Sequence, residues 1–193
     1  VTVFTVAASA DDVRRFTGPD TFDTSSTFFM VGQTGGKIYN VAARFTNLTI
    51  APGSKILTAV PSLVCAFASA GVTVRATLAL EAVANATQIA DVADFDGRSL
   101  TAAVTWEPAA WVLGTTYALP DIAVPLQAVM DLPAWAYGNA INWFLKDGGS
   151  DGGAARYGAS WDNATYDPPV LTVTWNPPGG GGPVTQAFAA GII

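Results

Sequence analysis

Apolar and polar positions alternate with a period of two along most of this chain, in short runs closed by Gly, Pro, Asn or Asp. That is the habit of antiparallel strands with one face turned to a core. In VTVRATLAL, Val72, Val74, Ala76, Leu78 and Leu80 fall on one face, with Thr73, Arg75 and Thr77 on the other. VLTVTW sets Leu171, Val173 and Trp175 against Thr172 and Thr174. VTVFTV, FFMVG, KIYNVAARF, INWFL and ARYGASW read the same way, about eight strands in all, with TAAVTW a further candidate. In KILTAVPSLVCAF, Pro61 implies a bulge or an edge position, because proline cannot donate to a ladder.

One segment departs from this period. LPDIAVPLQAVMDLPAWAYGNA places Ile122, Leu126, Val129 and Met130 at helical spacing, with Asp121 able to cap the first turn, Pro125 inside it and Pro133 beyond the end. The spacing predicts one short amphipathic helix over 122–131, laid against the sheets. KDGGSDGGAAR, 146–156, has the glycine content of a connection. The fold class expected is all-β, an antiparallel, jelly-roll-like β-sandwich over residues 1–175 with one short α-helix. After it, NPPGGGGPVTQAFAAGII, 176–193, reads as a Pro/Gly hinge and an apolar extended arm. Val184, Phe188, Ile192 and Ile193 in that arm can pair with, or plug into, another subunit; the alternative is a linker to a further domain.

Composition sharpens the picture. Half of the 193 residues are apolar and only 12% are charged, so the surface is weakly charged, as surfaces covered in an assembly are. No apolar run approaches the ~18 to 20 residues that cross a bilayer as a helix. The net charge of -6, without acidic blocks or clustered Lys and Arg, excludes a phosphate-backbone partner. No basic segment followed by an apolar one opens the chain, so a signal peptide is absent or already removed. Cys65 is the one cysteine, which rules out an intrachain disulfide and reads as a buried, inert thiol.

There is no histidine. This removes Ser-His and Cys-His nucleophile pairs and most transition-metal sites, and leaves carboxylates as the one hydrolytic option. Asp91, Asp94 and Asp96 in ADVADFDGR stand close together, but a run of acids in sequence rarely faces one substrate across a cleft, and a solvated loop is the preferred reading. Neither that segment nor Asp147 and Asp151 in DGGSDGG has EF-hand spacing, and GGSDGG lacks the Lys-Ser/Thr of a P-loop. No catalytic residue, metal or cofactor is therefore assigned. The triplets at Asn47, Asn85 and Asn163 fit the glycosylation acceptor pattern, which carries meaning only on a secretory route. Among the six Trp, Trp175 alternates with core positions, and Trp106, Trp111 and Trp135 adjoin prolines and read as core or rim. Trp161, with Tyr157, Asp162 and Asn163 in YGASWDNATY, is the candidate for a ring presented to a sugar.

The stretches RFTNLTIAPGSKI, LEAVANA, DGRSLTAAVTWEPAAW, ALPDIAVPLQAVMDLPAWAYGNAINWFL and ARYGASWDNATYDPPVLTVTW follow one another from Arg44 to Trp175. In that order they resemble a DNRLRE-type domain, the carbohydrate-binding-module-like β-sandwich of bacterial extracellular proteins and phage structural or tail proteins. The resemblance implies the architecture more than an activity. With the arm and the missing catalytic groups, it leads to the expectation of a non-enzymatic structural or attachment component located in a virion or outside the cell. Phage capsid decoration, a tail or a fibre subunit is the form expected, with other protein subunits as partners through the arm. The alternative is a carbohydrate-binding module of a secreted bacterial enzyme or adhesin, with a surface glycan held at Trp161 and Tyr157.

Overall fold

The period-two runs fold as strands, every pairing antiparallel, in a computed structural model that describes residues 1–69 and 72–179. In chain order they are β1 (Thr2–Thr5), β2 (Asp12–Phe16), β3 (Thr21–Asp23), β4 (Phe28–Thr34), β5 (Lys37–Phe45), β6 (Lys55–Phe67), β7 (Ala76–Leu80), β8 (Val104–Trp106), β9 (Thr116–Ala118), β10 (Ile141–Asp147), β11 (Ala154–Ala159) and β12 (Val170–Asn176). Two short helices, α1 (Val92–Gly97) and α2 (Ala123–Met130), complete the elements used below. The sheet runs β1-β12-β6-β11-β4-β5-β10-β7-β8, with β9 beside β6, β2 beside β5 and β3 beside β2. It curls into an all-β sandwich: Phe4, Ile56, Leu171 and Val173 of one wing meet Phe29, Val41, Phe45, Leu78, Leu80 and Trp143 of the other in a single core.

The strand β6 makes the curl. Residues from Lys55 to Ser62 pair with β12, Ser62 to Val64 with β9, and Cys65 and Phe67 with β11. Pro61 sits within this central strand, in register with Leu171 and away from the irregularity at Thr174/Trp175, so neither the bulge nor the edge position expected for it holds. Its carbonyl accepts from Leu119 N at 2.8 Å. The side of Pro61 that lacks a hydrogen therefore faces the 119–122 segment, and the β12 ladder loses nothing. On the same side Asp121 Oδ1 accepts from Ala59 N and from Ala123 N, both at 2.8 Å. That one carboxylate fastens α2 to β6; the cap position itself falls on Ile122 and not on Asp121, which stands one residue earlier and accepts from the first helical N–H. Ile122, Leu126, Val129 and Met130 are buried beneath the helix.

Three differences from the sequence reading have local causes. The strand expected from Val72 begins at Ala76, because Arg75 N donates to Ser150 Oγ and the carbonyls of Thr73 and Arg75 accept from Asp151 N and Gly148 N. The turn at 148–151 has taken those hydrogen bonds from a ladder. The short β2, β3 and β9 went unread; β2 carries its charges in DVRRF at consecutive positions, which hides the period. The third difference is α1, a second helix where a solvated loop was expected. Asp91 caps it by accepting from Asp94 N at 2.8 Å, and Asp94 reaches back to Ala90 N at 2.9 Å. Phe95 from α1 is fully buried with Val13, Ala42, Ile89 and Phe144 in a second cluster. β5 and β10 are consequently covered on both faces, which is why INWFL is buried throughout, with Asn142 its one polar side chain.

A buried polar network pins this second layer. Glu81, 4% exposed, accepts from Arg98 Nη1 at 2.7 Å and from Asn142 Nδ2 at 2.8 Å. Arg98 also holds Asp94 through Nε and Nη2, each at 2.7 Å. Those carboxylates raise the Arg98 pKa, the hydrogen bond to Asp94 being the largest cause and burial opposing it. Removing the arginine leaves the Glu81 carboxylate buried without a cation. Arg98→Met is expected to lower the stability by about 3 kcal/mol, measured by urea unfolding. Glu81→Gln in the same background should recover part of that loss, since it removes the stranded charge.

Candidate functional site

The turn after β11 is the region singled out for a ligand. It is built by side chains that satisfy backbone groups. Ser160 Oγ donates to Ser26 O, Asn163 Nδ2 donates to Thr27 O at 2.8 Å, and Asn163 Oδ1 accepts from Thr165 N and Tyr166 N, each at 2.9 Å. Asn163 is thus a turn-former, its side-chain oxygen accepting twice and one of its two amide hydrogens engaged. Asp162 accepts from Ser9 Oγ at 2.9 Å. Trp161, 43% exposed, presents its ring to solvent while its backbone N–H donates to Asp12 Oδ2 at 2.6 Å. Tyr157 is placed elsewhere: half-buried on β11, it sits edge-on between Phe28 and Phe67, with ring centroids 5.7 and 5.4 Å away. The structure brings Trp161, Asp162 and Asn163 into one turn and gives Tyr157 to an aromatic row.

That row crosses the sheet. Beyond Phe28 come Arg14, 5.0 Å from the Phe28 centroid and 5.6 Å from that of Phe16, then Tyr39 at 5.1 Å from Phe16, with Lys37 Nζ 4.8 Å above Phe16. Cations already occupy ring faces here, so these rings are tied into the surface. The other tryptophans confirm the core or rim reading: Trp111 is buried and stacked on Tyr117 at 4.8 Å and 6°, and Trp135 is buried with Nε1 donating to Ile50 O at 3.1 Å.

The acids of ADVADFDGR, expected in a solvated loop, are instead engaged within the fold. Asp91 and Asp94 serve α1 and Arg98, and Asp96 pairs with Arg15 Nη2 at 2.7 Å. Asp147 caps the glycine turn by accepting from Gly149 N and Ser150 N, while Asp151 pairs with Arg75 at 2.8 Å. Among the described residues no group of three His, Cys, Asp or Glu is arranged to hold a metal ion. Cys65 is buried, and burial raises its thiol pKa. The docking residues Val184, Phe188, Ile192 and Ile193 lie outside the described residues.

A surface that the sequence reading passed over lies on the wing formed by β1, β12, β9 and the first part of β6. Its outward positions are Val3 and Thr5, then Thr172 and Thr174, then Thr58, Val60 and Ser62, then Thr116 and Ala118. Lys55, at the start of β6, is the single charged side chain on these four strands. β1 pairs with β12 alone among the described residues, so its other edge is open, with Val3 57% exposed. No charge, proline or bulge blunts that edge. The signal was present in TVFT and VLTVTW as threonine where surface strands usually place Lys or Glu.

Compared with known proteins, the chain matches no family model and no curated protein. Among the described residues no helix is long and apolar enough to cross a membrane.

The carboxylate under Trp161 is unusual. Asp12 is 2% exposed, and burial pushes its pKa up to about 7; the Trp161 N–H lowers it, and Asp162, Asp11 and Asp23 raise it further. The folded form therefore keeps its proton over a range where the unfolded chain has lost it, so this group withdraws stability as pH rises from the ordinary carboxylate range to about 7. Asp12→Asn keeps an acceptor for Trp161 N and removes the titration. Its melting temperature relative to wild type should climb between about pH 4 and about pH 8; a difference that stays flat would show that Asp12 ionises normally in the fold.

Proposed function

We propose that the protein is a non-enzymatic structural or attachment component of a larger extracellular or viral assembly, with other protein subunits as its partners. The observation that carries this reading is the Val/Thr wing, with Lys55 its single charged side chain, ending in the open edge of β1. An open strand edge offers unpaired N–H and C=O groups that only another extended backbone satisfies fully, and a face with so little charge meets a neighbour with little desolvation cost to ions. Support also comes from the acids, since those examined as catalytic or metal candidates are engaged in caps and ion pairs. The resemblance of the sequence to phage structural sandwiches makes a virion subunit, in capsid decoration, tail or fibre, the specific form proposed. The segment with Val184, Phe188, Ile192 and Ile193 is proposed as its docking arm.

The test places charge on the edge without touching the core. Val3 and Thr5 are exposed, so Val3→Lys with Thr5→Lys should leave circular dichroism and melting temperature unchanged. Light scattering should show wild type as an oligomer and the double variant shifted toward monomer by at least about tenfold in dissociation constant. A wild-type chain that is monomeric at every concentration, and recovers no partner from its source particle, overturns the reading.

A second reading, carbohydrate binding, is favoured by the exposed Trp161 ring held on a hydrogen-bonded turn. A glycan array would support it through saturable binding that Trp161→Ala abolishes; binding untouched by that substitution removes the site.

A further inference from the structure

Five of the six arginines pair with carboxylates: Arg14 with Asp23, Arg15 with Asp20 and Asp96, Arg44 with Asp11, Arg75 with Glu107 and Asp151, and Arg98 with Glu81 and Asp94. Arg156 does not. It is 3% exposed, and its partners are all backbone carbonyls: Nε donates to Ala109 O at 2.8 Å, Nη1 to Ala155 O at 2.9 Å, and Nη2 to Pro108 O at 3.0 Å and Val72 O at 3.4 Å. These bonds use four of the five N–H groups of a guanidinium and neutralise none of its charge. All fifteen Asp and Glu lie within residues 1–69 and 72–179, and none of them forms an ion pair with Arg156. Burial pulls the Arg156 pKa down, as expected for an uncompensated cation.

The guanidinium borders an open hollow of about 360 Å³ whose other walls are Val72, Thr73, Glu107, Pro108, Ala109 and Ala110. The Glu107 carboxylate on its rim is engaged by Arg75 at 3.5 Å. A cavity of that size lies at the small end of ligand pockets. Buried charges are as a rule paired, and here the hollow that Arg156 helps to line is open to solvent. We infer that this hollow is an anion site taking the single carboxylate of a small ligand, with Arg156 as its counter-charge. A monoanion fits better than a phosphate dianion, since one cation faces the site and Glu107 stands at its rim. The inference is independent of the assembly reading and of Trp161.

Isothermal titration of the full chain with sodium acetate, sodium glucuronate, inorganic phosphate, glucose and ionic-strength-matched sodium chloride tests it. Saturable binding of glucuronate with a dissociation constant on the order of millimolar, absent for glucose and chloride, is the expected result. Acetate binding as well as glucuronate would mark the carboxylate alone as the determinant, whereas glucuronate alone would mark an acidic sugar. Ala110→Trp, at an exposed position on the wall, should abolish binding with the melting temperature kept. Arg156→Lys should weaken it at least tenfold; if that variant does not fold, the Ala110→Trp result decides. Carboxylate binding that survives Ala110→Trp, phosphate binding more tightly than either carboxylate, or no saturable signal above chloride would each overturn the proposal.

Discussion

The ladder of β6 is the constraint on which the rest depends. A strand of thirteen residues can serve two wings only if its partners change along its length, and β12, β9 and β11 take successive parts of it. A proline in the middle of such a strand would ordinarily cost a hydrogen bond. Here it is tolerated because the affected side is given to the chain that leads into α2, where Leu119 needs an acceptor and the Asp121 carboxylate supplies the neighbouring one. One carboxylate thus replaces a missing strand. The same stretch that closes the core therefore also decides where the helix lies.

The two wings differ in how they meet water. The wing of β5, β10 and β7 is covered a second time by α1, whose Phe95 packs on Val13 of the neighbouring β2, Ala42 and Phe144, and its polar groups are drawn inward into the Glu81, Arg98 and Asn142 network. A buried network of this kind fixes which layer sits on which strand, because a shifted layer would strand an ion. The wing of β1 and β12 has no cover among the described residues and almost no charge. Asymmetry of this sort suits a subunit that spends its ions on internal order and leaves a neutral face to a neighbour.

Much of the architecture was legible because burial on one face leaves a period of two, as KIYNVAARF and VLTVTW show by forming β5 and β12 at the expected places. The helix after Asp121 was legible for the same kind of reason. Short strands paired only at an edge, such as β3 and β9, bury too little to leave a pattern. The helix α1 was hidden because its acids suggested a loop, although Asp91 and Asp94 at a spacing of three is also what a capped first turn demands. At the candidate site, Trp161 could be read as an exposed ring from its polar neighbours. Tyr157 could not be separated from it, since its neighbours Phe28 and Phe67 come from strands remote in sequence.

Buried charges in this fold divide by what answers them. Arg98 and Glu81 answer each other, and the structure needs nothing further there. Asp12 is answered by one N–H and by a retained proton, a solution open to a carboxylic acid near neutral pH. Arg156 has neither route, because a guanidinium does not shed its proton in a protein and its four carbonyls carry dipoles but no charge. Its register in ARYGA, on the inward side with Ala154 and Gly158, shows that strand geometry commits it to the interior. A cation held there beside an open hollow is an electrostatic demand that the described residues leave unmet, and a demand of that form selects its ligand by charge before shape.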